Sequence, residues 1–243
     1  MRAYVITIDR LSTKFKRLLE QLESTGLEIE VVDGVIPPQE FASLYDAKAF
    51  LKRYGRHPTR GEVGCAMSHQ EVYERMASFD ELSAFVFEDD AVLSERFLSQ
   101  LSTIHEQWVG LGAVSFYSEG AFVSKHLNNS GLMPTIFMCD NTLGYWISLR
   151  SALMLRSAKV SGGRLIGLAD WPLAPQTFGL HLLSGSQMLH DSVASSLEVA
   201  RQQRRIDSRW QIGKIRRSLN FWLYRTVGKC CWNYHSARTG TWQ

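Results

Sequence analysis

Glu88, Asp89 and Asp90 stand in succession behind an apolar run of Leu82, Ala84, Phe85, Val86 and Phe87. Three adjacent carboxylates repel one another and resist desolvation, so one must hold a proton or a cation must neutralise them. Hard divalent cations take oxygen donors and share them with phosphate groups, which makes a cation carrying a phosphate ligand the chemistry this cluster fits. The competing reading is a solvated acidic turn. The short apolar run itself reads as a strand buried on both faces, as in a parallel sheet covered by helices. In open α/β sheets, ligands bind at the carboxyl ends of such strands.

The elements that must position this cluster follow from periodicity. Ala3–Ile8 reads as a first strand, and Phe15, Leu18, Leu19 and Leu22 mark an amphipathic helix closed by Gly26. Ile29–Val32 reads as a second strand, so the chain opens with a strand–helix–strand unit and a parallel sheet. A helix is expected near residues 39–50. Thr59 and Glu62 form a capping-box pattern ahead of a helix over 60–78. Glu62 and His69, seven residues apart, fall on its apolar face and there require partners. Ser94 caps a further helix to about His105, and strands are expected at 112–117, 132–138, 143–148 and 180–183. Residues 151–158 read as a helix.

The whole chain has 243 residues, 45% apolar and 21% charged, which describes a globular protein with one large α/β domain. Its net charge of +3 hides an asymmetry. Residues 201–243 carry ten Lys and Arg against one acid, Asp207, whereas residues 1–200 carry 17 basic and 23 acidic side chains. Residues 1–200 are therefore read as the main domain and 201–243 as a basic, aromatic-rich extension. Ile212, Ile215, Leu219, Trp222 and Leu223 share one helical face there, opposite Lys214, Arg216, Arg217 and Arg225. This is the pattern of a helix lying on an anionic membrane surface, or of one packed on the body with a solvated basic face. Cys65, Cys139, Cys230 and Cys231 form no C-x-x-C pair, which points to a reducing, cytoplasmic compartment. The N-terminus is expected to carry no signal peptide, and no stretch is long and apolar enough to span a membrane.

Several segments together resemble glycosyltransferase family 25, the bacterial lipooligosaccharide galactosyltransferases and their relatives. They are YVITIDR (4–10), VVDGV (31–35), TRGEVGCAMSHQEVY (59–73), FVFEDDAVL (85–93), LGYWISLRSA (143–152) and LADWPL (168–173). The pairing of GEVGCAMSH with FEDDAVL carries most of the weight, and the likeness covers about residues 3–195. It implies a GT-A type, Rossmann-like α/β fold with a mostly parallel sheet, a divalent cation (Mn²⁺ or Mg²⁺) at the acidic motif, and inversion at the anomeric carbon. One departure lies in Thr7-Ile8-Asp9, where the family carries Asn-Leu.

That likeness implies transfer of a hexose, galactose from UDP-galactose, to a hydroxyl of a lipid-linked oligosaccharide at the inner membrane's cytoplasmic face. Asp90 is the implied direct metal ligand, with Glu88 at the ribose or the metal, Asp89 either structural or assisting on the donor side through water, and His190 a further metal ligand. Ile8, Arg10, Glu62 and His69 are the remaining donor-side candidates, with Arg60 beside them. Single-displacement inversion needs a general base at the acceptor hydroxyl. Asp170 is the candidate, against a reading as the N-cap of a helix opening at Trp171-Pro172; Glu119 and Asp140 come next. Trp146 and Trp171 either stack on a sugar or pack in the core. Two other classes compete. A nucleotidyltransferase would show a glycine-rich phosphate loop, which IDRLSTKFKR lacks. A nucleic-acid binder acting through the tail leaves the acidic cluster without a role, and no nucleic acid is expected as partner.

Overall fold

A computed structural model of the chain describes residues 1–117, 122–124, 132–137, 142–171, 179–183, 188–190 and 234–236. The strands are β1 (Arg2–Thr7), β2 (Glu28–Asp33), β3 (Ser83–Glu88), β4 (Ala91–Leu93), β5 (Ala113–Ser115), β6 (Phe122–Ser124) and β7 (Leu132–Phe137). They continue with β8 (Gly144–Ser148), β9 (Val160–Ser161), β10 (Arg164–Leu165), β11 (Leu180–Leu183), β12 (Met188–His190) and β13 (Tyr234–Ser236). The helices are α1 (Thr13–Glu23), α2 (Ala47–Tyr54), α3 (Arg60–Ser78), α4 (Glu95–Ile104) and α5 (Leu149–Lys159). The main sheet runs β13-β6-β7-β11-β5-β8-β3-β1-β2.

Its centre is a mostly parallel α/β sheet, as expected. β2, β1, β3, β5 and β11 share one direction; between them β8 is inserted the other way, pairing antiparallel with both β3 and β5, and beyond β11 the sheet continues antiparallel through β7, β6 and β13. The alternation of side chains along each strand divides the core in two. Ala3, Val5, Phe85, Phe87 and Trp146 face α1 and α4, whereas Tyr4, Ile6, Ala84, Val86 and Tyr145 face α3 and α5. Glu88 continues the Ala84–Val86 series and so emerges on the α3 side. A smaller cluster joins Phe50 and Tyr54 of α2 to Val63 and Ala66 of α3.

Local signals explain most elements. Ser12, Asp46, Thr59, Ser94 and Ser148 each accept a backbone N–H at a helix start, and Thr59 with Glu62 closes the expected capping box. Two expectations need correction. The helix expected near 39–50 is a short 3₁₀ turn, Ala42–Leu44, followed by α2, which begins where Asp46 supplies a cap and ends at left-handed Gly55. The strand expected over 112–117 is only three residues long, Ala113–Ser115, although the Phe116 N–H still donates to the Gly144 carbonyl in the same register. Among the described residues, no helix is long and apolar enough to cross a membrane.

Candidate active site

The chain passes from β1 to its neighbour β2 on one side, then crosses to β3 on the other. This reversal creates a crevice at the carboxyl ends of β1 and β3, where open α/β sheets bind ligands. The acidic triplet occupies that crevice. Ile6 pairs in register with Glu88, and the Asp89 N–H donates to the Ile6 carbonyl at 3.1 Å. The Thr7 hydroxyl donates to Asp89 Oδ2. Burial pushes the Asp89 carboxyl above its ordinary value against the opposing Thr7 hydrogen bond, and repulsion from Asp90 and Glu88 pushes it further. A cation in the crevice would relieve that repulsion. The three carboxylates do not converge on one point among themselves; they fit the manner of Mg²⁺ or Mn²⁺, held by one or two carboxylates and completed by substrate phosphates.

Glu88 is tied to the rest of the site by two bonds. His69, on the inward face of α3 and 1% exposed, places Nε2 3.2 Å from Glu88 Oε1. The Thr142 hydroxyl donates to the same oxygen at 2.7 Å and approaches the Ala169 carbonyl at 3.4 Å. Asp170 is the next residue. The fold thus brings Glu88, His69, Thr142 and Asp170 to one seam, with Trp171 packed edge-on against Tyr145. The cavity along this seam is about 10 Å³, room for one water and not for a hexose.

The Asp170 carboxylate is heavily engaged. The buried Lys159 ammonium pairs with Oδ1 and donates to the Asp170 carbonyl at 2.9 Å. The Tyr54 hydroxyl lies 3.2 Å from both carboxylate oxygens, and an Arg53 nitrogen is 3.9 Å from one. These partners come from α2 and α5 and were not foreseen; a lysine at the end of an amphipathic helix carries no sequence signal for burial. The helix that Asp170 was to cap falls at 172–178, outside the described residues, as do Glu119 and Asp140.

Other expected residues divide. Backbone pairing of β12 with β4 sets His190 opposite Ala91, the residue after Asp90, so the chain returns to the acidic turn; its side chain is outside the described ones. Glu62 is taken up by Arg56, at 2.6 and 2.8 Å, and by the Thr59 N–H. Arg10 forms a solvent-exposed fork with Asp33, and Arg60 Nε donates to the Pro37 carbonyl. Ile8, 64% exposed, borders the crevice. Trp146 faces α4 and stacks edge-on against Trp108, which makes it a core aromatic and not a sugar platform. Sequence reasoning missed Thr142 and Cys65; the i, i+4 spacing of Cys65 and His69 on one helix face was the available signal for the latter.

A family model described as glycosyltransferase family 25 (LPS biosynthesis protein) matches residues 1–133, more than half of the chain. The chain belongs to glycosyltransferase family 25. It is 31% identical over 94 residues to a "Glycosyltransferase 25 family member" of Anopheles gambiae, covering 36% of this chain and 16% of that protein. It is 26% identical over 106 residues to the "Lipooligosaccharide biosynthesis protein lic2B" of Haemophilus influenzae, covering 42% of this chain and 40% of that one. It is 30% identical over 112 residues to the "Inactive glycosyltransferase 25 family member 3" of Homo sapiens, covering 42% of this chain and 18% of that one. The chain thus spans well under half the length of each of these relatives.

Proposed function

We propose that this family 25 chain transfers a hexose from a nucleoside-diphosphate sugar to a glycan hydroxyl with inversion at the anomeric carbon. The donor is read as UDP-galactose and the acceptor as a lipid-linked lipooligosaccharide core. The observation that carries the reading is the acidic triplet at the β1/β3 switch point, where burial and repulsion from Asp90 and Glu88 raise the Asp89 carboxyl above its ordinary value. The family description and the name of the Haemophilus relative support the choice of acceptor.

Asp90 and Glu88 would hold a Mn²⁺ or Mg²⁺, with His190 returning to the same turn. Bound there, the cation would neutralise the charge that develops on the diphosphate leaving group. Asp89, held by Thr7 and the Ile6 carbonyl, fixes the turn that presents its two neighbours. His69 and Thr142 orient Glu88 from the α3 side. Asp170 stands at the far end of the seam as the group proposed to take the acceptor proton, while Lys159 and Tyr54 hold its carboxylate in place. The basic extension is proposed to rest on the anionic cytoplasmic face of the inner membrane, beside the lipid-linked acceptor.

The reading is tested by incubating the chain with a panel of UDP-sugars and Mn²⁺, with and without deacylated lipooligosaccharide, and measuring UDP release. Acceptor-dependent release from one donor is expected. Absence of release together with absence of UDP binding would overturn the reading.

A further inference from the structure

Cys65 and His69 lie one turn apart on α3, so their side chains leave the same face. β3 brings Glu88 to that face. The Cys65 sulfur, a His69 ring nitrogen and a Glu88 carboxylate oxygen all lie within 4.8 Å of one another, the one such trio found among the described residues. A thiolate, an imidazole and a carboxylate make a borderline-soft donor set, unlike the all-oxygen environment suited to Mg²⁺ or Mn²⁺.

The spacing fits a small tetrahedral ion. With metal–ligand bonds of about 2.0–2.3 Å, tetrahedral ligand atoms stand about 3.3–3.7 Å apart. His69 Nε2 and Glu88 Oε1 are already 3.2 Å apart, and the trio as a whole lies within 4.8 Å. Supporting partners are also in place. His69 Nδ1 is 2.7 Å from the Tyr145 hydroxyl, which can accept a hydrogen bond from Nδ1–H and so leave Nε2 unprotonated as the ligand. Thr142 donates to the Glu88 oxygen.

We infer that Cys65, His69 and Glu88 form a site for a thiophilic divalent cation of the Zn²⁺ class, with three protein ligands and one open position. Binding releases the Cys65 thiol proton and involves no electron transfer. Because Glu88 also belongs to the acidic crevice, an ion held here draws that carboxylate toward α3 and opposes donor binding. The site stands or falls on metal binding alone, independently of glycosyl transfer.

The test uses the reduced, metal-free full chain with Cys139, Cys230 and Cys231 replaced by serine. One equivalent of Co²⁺ should produce a near-ultraviolet thiolate-to-cobalt charge-transfer band and the visible bands of four-coordinate cobalt, both displaced by Zn²⁺. Adding Cys65→Ser should remove the charge-transfer band, and His69→Gln should weaken binding by about a hundredfold or more. A second measurement leaves the three ligands untouched: Zn²⁺ at ten times its Kd should slow alkylation of Cys65 about tenfold. No charge-transfer band, a band that survives Cys65→Ser, or an unchanged alkylation rate would each overturn the inference.

Discussion

At the scale of single residues, Asp89 and Asp170 carry opposite electrostatic problems. The folded state raises the Asp89 carboxyl, so folding favours its protonated form. Its favourable contribution is present at acid pH and is lost as pH rises through the folded-state value. Asp89→Asn should therefore raise Tm at neutral pH, and the gap should close in acid; a melting series across pH checks this. Asp170 instead balances a buried ammonium. Asp170→Asn leaves Lys159 uncompensated and should cost about 3–5 kcal/mol of stability by denaturant titration. If Asp170 takes the acceptor proton, kcat per folded molecule should also fall by about a hundredfold or more while donor KM holds. A kcat within a few-fold of the native enzyme would leave Asp170 a purely structural anchor.

At the scale of elements, α3 is where sequence and structure agree best, and the reasons are local. Its start is fixed by Thr59 and Glu62, and its inward face by the spacing that buries His69. Gly64 has a different constraint: a Cβ there would stand 2.4 Å from the Val35 carbonyl oxygen, backbone that cannot swing away. Gly64→Ala should cost about 1–3 kcal/mol by lifting α3 from the segment after β2. A stability unchanged within about 0.5 kcal/mol would contradict that close approach. By contrast, the reversed direction of β8 was not legible. Its apolar pattern is the same in either direction, and only the neighbours it finds, β3 and β5, reveal it. The Lys159–Asp170–Tyr54 cluster was hidden for a related reason. Tyr54 and Asp170 are 116 residues apart, and nothing periodic links them.

At the scale of the whole molecule, the parallel centre and the acidic crevice were legible because a buried strand ending in three acids is a strong pattern. The sequence singles out His190 only by residue type; its backbone placement opposite Ala91 depends on pairing between two short strands. The division of charge between an acidic body and a basic extension makes a molecular prediction of its own. Replacing Lys214, Arg216, Arg217 and Arg225 with glutamate should reduce binding to anionic vesicles by about a thousandfold, with each of the four lost cations near a membrane surface worth about 1 kcal/mol. Sedimentation with vesicles checks this, and unchanged binding would remove the extension from membrane docking.

The central claim is that the carboxylates ending β3 grip a nucleoside diphosphate through a divalent cation. Calorimetric titration of UDP into the chain, in Mn²⁺ and again in excess chelator, addresses it most directly. UDP should bind at least about tenfold more tightly with Mn²⁺, a difference of about 1.4 kcal/mol, and Asp90→Asn should abolish that advantage. Equal affinity in both conditions, or an advantage that survives in Asp90→Asn, would contradict it.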